Sequence, residues 1–140
     1  MTSPFMIKII SVLILITAIL QSCKEDNISA GAKGMIEKGE GSCAPPIDFS
    51  SRYYSSYTGV AYFVETVYLD SLNTTSLEVL KHSSDSVEIK NGQYTLALEP
   101  GTYSVFLKEP EYSAVYNNKI TVYYEKVTEQ DFKFWHCTGY

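Results

Sequence analysis

The sequence predicts an all-β fold, a sandwich of two packed sheets built from seven to eight strands. Three observations predict it. Twelve of the 140 residues are Tyr, set among short runs of Val, Ile and Thr, a composition that suits pleated, half-buried backbone. Several of those runs alternate apolar and polar residues with a period of two. Turn residues fall between the runs. With 45% hydrophobic residues, the chain is expected to form one domain with a real core, and a second domain would not fit. No window gives a clear helical period.

The domain is expected over residues 34–140, because the residues ahead of it read differently. In residues 1–22 the single charge is Lys8, followed by an uncharged apolar run over residues 9–20. At about 1.5 Å per residue that run falls short of a hydrocarbon core of about 30 Å, so it reads as a cleaved export signal rather than a span. The run ends at Leu20-Gln21-Ser22-Cys23 and turns charged at Lys24-Glu25-Asp26. Residues 23–33 then read as a flexible tether, with Asn27, Ser29 and Gly31.

Strand candidates follow in order. Residues 58–69 are rich in Val, Tyr and Phe, and residues 86–90 carry Val87 and Ile89. Residues 93–99 alternate Tyr94, Leu96 and Leu98, and residues 102–108 alternate Tyr103, Val105 and Leu107. Residues 119–127 and 130–137 close the chain. Asn91-Gly92 suits a type I′ hairpin, Pro100-Gly101 the centre of a type II turn, and Asn117-Asn118 a tight turn.

Two resemblances give these segments a context. Leu20 to Cys23 resembles the lipobox of bacterial lipoproteins, with Gln21 standing where that pattern has a small or aliphatic residue. The resemblance implies cleavage before Cys23, a diacylglycerol thioether on its sulfur and a further acyl chain on the new amino group. Two or three chains hold a protein on a membrane where one only visits. Lys24, Glu25 and Asp26 resemble the export signal of surface lipoproteins of the Bacteroidetes, which implies the outer membrane, facing outward. An ordinary signal peptide and a plain solvated tether are the competing readings.

Residues 89–105 carry Gly92, Tyr94, Leu96, Leu98, Pro100, Gly101, Tyr103 and Val105. In that spacing they resemble the carboxypeptidase regulatory-like domains, whose fold is prealbumin-like (transthyretin-like). The resemblance implies an opening strand at Gly34-Met35-Ile36 and a closing hairpin near residues 119–134. A different immunoglobulin-like sandwich is the structural alternative.

Composition and motifs exclude several functions. Eleven Lys plus Arg against sixteen Asp plus Glu give a net charge of -5, spread without a basic block, so a nucleic-acid partner is not expected. The mature chain carries no GxSxG, HExxH, glycine-rich phosphate loop or CxxC pair. Its end, His136-Cys137-Thr138-Gly139-Tyr140, lacks the Tyr-Arg-Gly-Ser of the transthyretin-like hydrolases. Catalysis is therefore not expected, nor is a cofactor. His82 reads as a solvated turn residue and His136 as the neighbour of a cystine.

Cys43 and Cys137 remain once Cys23 is acylated, and an oxidising compartment favours joining them. The competing reading is a metal pair with His136, for which no second ligand stands at finger spacing. Arg52-Tyr53-Tyr54-Ser55-Ser56-Tyr57 places a guanidinium and three phenols in a loop after Pro45-Pro46. Flat rings with polar tips suit a sugar or a protein surface, so Arg52, Tyr53, Tyr54 and Tyr57 are the candidate ligand-binding residues; the same residues could instead cap the sandwich. Asp70-Ser71-Leu72 and Asp85-Ser86-Val87 resemble the O-glycosylation sites of exported Bacteroidetes proteins, making Ser71 and Ser86 candidate modification sites, with residues 73–75 read as a turn. The function expected from this sum is a lipid-anchored binding or accessory module for carbohydrate or protein. The alternative is a structural subunit of an envelope assembly.

Overall fold

The computed structural model describes residues 29–46, 48–69 and 74–139. Cys23, Lys24 to Asp26, Ser71 and the export signal lie outside the described residues. Within them are ten strands: β1 (Gly31–Ser42), β2 (Ser55–Ser56), β3 (Gly59–Glu65), β4 (Asp85–Ile89), β5 (Gln93–Ala97), β6 (Gly101–Leu107), β7 (Tyr112–Ala114), β8 (Lys119–Val122), β9 (Val127–Glu129) and β10 (Phe132–Gly139). One α-helix, α1 (Thr74–Ser83), separates β3 from β4.

The strands form two sheets packed face to face, the expected sandwich. One runs β2-β1-β10-β7, with β5 and β9 also pairing β1, and the other runs β4-β3-β6-β8. Strand β1, with 12 residues, is longer than each strand it pairs, so its two halves have different neighbours. Gly31 to Met35 pairs antiparallel with β5, and Gly31 to Lys33 also pairs parallel with β9. Ile36 to Ser42 pairs parallel with β10, while Glu37 and Lys38 pair antiparallel with β2.

The period-two reading of the apolar residues holds. Tyr103, Val105 and Leu107 of β6 and Phe132 and Phe134 of β10 are buried between the sheets, in one cluster with Ala32 and Ile36 of β1. Each such Ile, Leu or Phe contributes about 1.5–3 kcal/mol by leaving water.

Asn91 and Gly92 adopt φ of 54° and 79°, the double left-handed turn expected between β4 and β5. Gly92 also has no room for a side chain, since an added Cβ would lie 3.1 Å from the Ile36 carbonyl oxygen.

Four expectations need correction. The strands number ten because the run over residues 119–127 breaks at a turn into β8 and β9, and because short β2 and β7 add edges to the first sheet. The domain starts three residues early: Gly31 to Lys33, read as tether, are the start of β1, held by β5 and β9. The expected type II turn at Pro100-Gly101 is absent, because Gly101 already belongs to β6 and lacks the positive φ that turn requires.

The fourth is α1, which begins at Thr74, within the turn expected over residues 73–75. The helix covers the outer face of the second sheet, where Lys81 Nζ lies 5.4 Å from the Tyr62 ring centre and His82 packs edge-on against the same ring. Its inward positions include Lys81, buried and paired with Glu78 at 3.1 Å, while Val79 points to solvent. A lysine inside and a valine outside erase the helical period.

Cys43 and Cys137 are joined, as expected for an oxidising compartment, with Cα atoms 5.4 Å apart and a separation of 94 positions along the chain. The parallel β1–β10 ladder slips between Gly41 and Ser42, and the Cys43 N–H donates to the Gly139 carbonyl, which brings the two cysteines side by side. Replacing both by serine is expected to lower stability by about 4 kcal/mol, since the bond restrains a long loop of the unfolded chain. Urea unfolding measures it; a loss below about 1 kcal/mol would show that the ladder holds the two ends without the bond.

Candidate functional site

The outer face of the first sheet has an unusual surface: β1 presents Glu37, Gly39 and Gly41 there, opposite Lys133, Trp135 and Cys137 of β10. Gly39 stands directly across from Trp135, and an added Cβ would lie 2.6 Å from the indole Cζ3. The missing side chain lets the indole lie across the strand, a cross-strand cover for a glycine.

The chain between Cys43 and β2 folds back over this indole. Asp48 caps the 3-10 turn Phe49–Ser51: its Oδ1 accepts from the Ser50 N–H at 2.9 Å and from the Ser50 hydroxyl at 2.5 Å. Those bonds, the side-chain one first, hold the Asp48 carboxyl below its usual range. The turn brings Arg52 against both Phe49 and Trp135. The guanidinium carbon lies 4.5 Å from the Phe49 ring centre and 4.4 Å from the indole. Two rings are therefore within stacking range of the cation, a favourable arrangement for arginine.

Tyr54 completes the cluster, edge-on to Trp135 at 5.5 Å, with the Lys133 ammonium 4.8 Å from its ring centre. Lys133 is fixed by Glu37 at 3.0 Å, and that hydrogen bond raises the ammonium's pKa. Tyr53 is 83% exposed. A groove of about 390 Å³ runs along the cluster, lined among others by Glu40, Ser42, Asp48, Arg52, Tyr53 and Trp135.

The structure thus divides the expected ligand-binding residues. Arg52, Tyr53 and Tyr54 lie at one place, around a tryptophan that the sequence reading did not include. Tyr57 does not join them. It is fully buried in the core, its hydroxyl donating to Glu109 Oε2 at 2.7 Å, with the Val60 carbonyl 3.1 Å away, so it cannot touch a ligand. Tyr57 follows β2, where the chain turns inward, and its N–H donates to the Ile36 carbonyl.

Burial, then the hydrogen bond to Glu109, pushes the Tyr57 phenol above its usual range. Tyr94 is raised likewise, by burial and then by the charges of Asp131 and Glu129. His82 sits exposed on the last turn of α1, and His136 packs on Tyr112 at 5.4 Å beside the cystine. Ser86 lies exposed in β4, in register with Tyr62 of β3.

Nothing local in the sequence pointed to Trp135 or Phe49, because their meeting depends on a parallel pairing of the first and last strands. The spacing Gly39-Glu40-Gly41 was the one available signal, a strand face stripped of side chains. Comparison of the chain with protein-family profiles, curated proteins and solved structures found no match.

Two outcomes are expected. Tyr53→Ala should change stability by less than about 0.5 kcal/mol, whereas Tyr54→Ala should cost about 1 kcal/mol through the lost ring contact; equal effects in urea unfolding would contradict the division between them. The buried phenols should also govern alkaline stability. Their raised pKa values mean that the folded state keeps protons which the unfolded chain loses near pH 10. Their stabilising effect is thus complete below about pH 10 and is lost as pH rises beyond it. Tyr57→Phe should flatten that decline in the urea midpoint, and an unchanged slope would count against it.

Proposed function

We propose that the chain is a non-enzymatic lipoprotein of the outer membrane, facing outward and acylated on Cys23, that acts as a binding or accessory module for carbohydrate or protein. The Leu20 to Cys23 motif and Lys24-Glu25-Asp26 support the anchor and its side. The Cys43–Cys137 bond fits an oxidising compartment. The run of residues resembling the carboxypeptidase regulatory-like domains forms β5 in the first sheet and β6 in the second, with Tyr94, Leu98, Tyr103 and Val105 buried.

One observation carries the reading. The chain enters the domain at Gly31, the first residue of β1, and the ring cluster sits over Gly39 and Gly41, toward the far end of the same strand. At about 3.3 Å per residue that offset is roughly 25–30 Å. Residues 24–30 would span at most about 25 Å fully extended. A short tether at one end would thus hold the opposite end, with its exposed Tyr53, away from the membrane. The alternative, a structural subunit of an envelope assembly, draws support from the exposed rings of Tyr116, Tyr123 and Tyr124.

Fatty-acid labelling should mark the protein on Cys23, and Cys23→Ser should shift it out of the membrane fraction; unchanged fractionation sinks the anchor. Protease shaving of intact cells should remove the domain. In glycan arrays and pull-downs, Tyr53→Ala should lose binding that the wild type shows, and equal binding by both would retire the ring cluster as the site.

A further inference from the structure

Arg52 is held by rings rather than by acids. Phe49 and Trp135 both lie within 4.5 Å of its guanidinium carbon. No carboxylate among the described residues forms an ion pair with it. Its recorded contact is a long one, from Nη2 to Cys43 Sγ at 4.0 Å. Two acids line the same groove, yet Glu40 makes no bond to Arg52, and Asp48 turns its Oδ1 back onto Ser50.

Beside it, Trp135 is only 7% exposed, and its Nε1–H has no hydrogen-bond partner. An unsatisfied buried donor is uncommon and destabilising. The indole N–H is thus buried out of reach, and the donors the groove offers without an ion-pair partner are those of Arg52; a planar guanidinium fixed by rings is pre-organised to hold a carboxylate through two parallel hydrogen bonds.

We infer that this groove binds an acidic sugar, a uronic-acid unit of a polysaccharide, its carboxylate on the edge of Arg52 and its ring against Tyr53. The inference rests on the reading of the ring cluster as a binding platform. A sugar fits better than a peptide terminus because Tyr53 offers a bare aromatic face, while Ser42, Ser51 and Glu40 border the groove with partners for ring hydroxyls. The other end of the domain does not compete for it. There the groove beside Ala30 is lined by Asp85, Glu99 and Glu125 and has no base.

Trp135 is the sole tryptophan of the chain, so its fluorescence reports on the site directly. The full chain, in detergent, is titrated with an oligogalacturonate, with a neutral gluco-oligosaccharide of equal length, and with a short peptide carrying a free or an amidated C-terminus. Saturable change with the oligogalacturonate is expected, about tenfold or more tighter than with the neutral sugar, and weaker at high salt.

Arg52→Gln should lose about 10- to 100-fold for the acidic sugar and little for the neutral one. Arg52→Lys, which keeps the charge but not the fork, should fall between, and it covers the case in which Arg52→Gln fails to fold. Equal affinity for acidic and neutral sugars, unaffected by either substitution, would overturn the acidic ligand while leaving a binding platform in place. Preference for the free peptide C-terminus would overturn the sugar. No response to any probe, with calorimetry agreeing, would overturn both the ligand and the platform.

Discussion

Strand β1 is the constraint on which the remaining structure depends, because its backbone is shared among four other strands. The sharing changes hands at Ile36. There the Ile36 N–H donates to the Gly92 carbonyl at 2.7 Å, the Ile36 carbonyl accepts from Tyr57, and Tyr57 in turn accepts from the Gly92 N–H at 2.8 Å. On the other side, Met35 N–H donates to Asp131 Oδ1 at 2.7 Å, and the Gln130 N–H donates to the Lys33 carbonyl at 3.0 Å. A buried strand with unpaired amides would be unstable, at about 1–3 kcal/mol per orphaned group. The turn at Gly92 and the link at Gln130-Asp131 fill the gaps where one partner strand stops and the next begins.

That arrangement determines what each tyrosine can do. Tyr57, Tyr94 and Tyr103 bring hydroxyls into the core, and each finds an acceptor: Glu109, the Gln130 carbonyl and the Glu99 carbonyl. Rings of this kind fill volume and tie a loop to the sheet with one bond. Tyr53, Tyr116 and Tyr124 remain mostly exposed. A tyrosine-rich composition therefore records two separate demands, plugs for the ends of a small sandwich and an exposed aromatic surface, which residue counts cannot separate.

Much of the sandwich was legible because its signals are local. The Asn91-Gly92 turn, the alternation in β5 and β6 and the strand character of residues 130–137 each depend on neighbours a few positions away. The cystine was legible for a different reason, since the resemblance of Leu20 to Cys23 to a lipobox sets Cys23 apart and leaves two cysteines to pair. What escaped depends on tertiary context. Helix α1 hid behind Lys81, whose burial is possible because Glu78 and the Tyr62 ring receive its charge. The candidate site was half legible: Arg52, Tyr53 and Tyr54 stand out by their chemistry, but Tyr57, grouped with them by its place in the same stretch, is buried in the core. Trp135 is 83 positions from Arg52, and only the β1–β10 register brings it beneath the loop.

The cluster's placement also bears on how it could bind. The chain from Cys43 to Ser56 is fastened at one end to β10, by the cystine and the Cys43–Gly139 hydrogen bond, and at the other to β1, by the pairing of β2. Between those points Asp48 caps the single turn, and Phe49, Arg52 and Tyr54 each lie against a partner ring or cation. A loop so restrained loses its conformational freedom during folding, and little ordering entropy is left to oppose ligand binding. The same packing buries the Trp135 indole and leaves its Nε1–H without a partner, so the loop is held by ring contacts at the expense of one hydrogen bond.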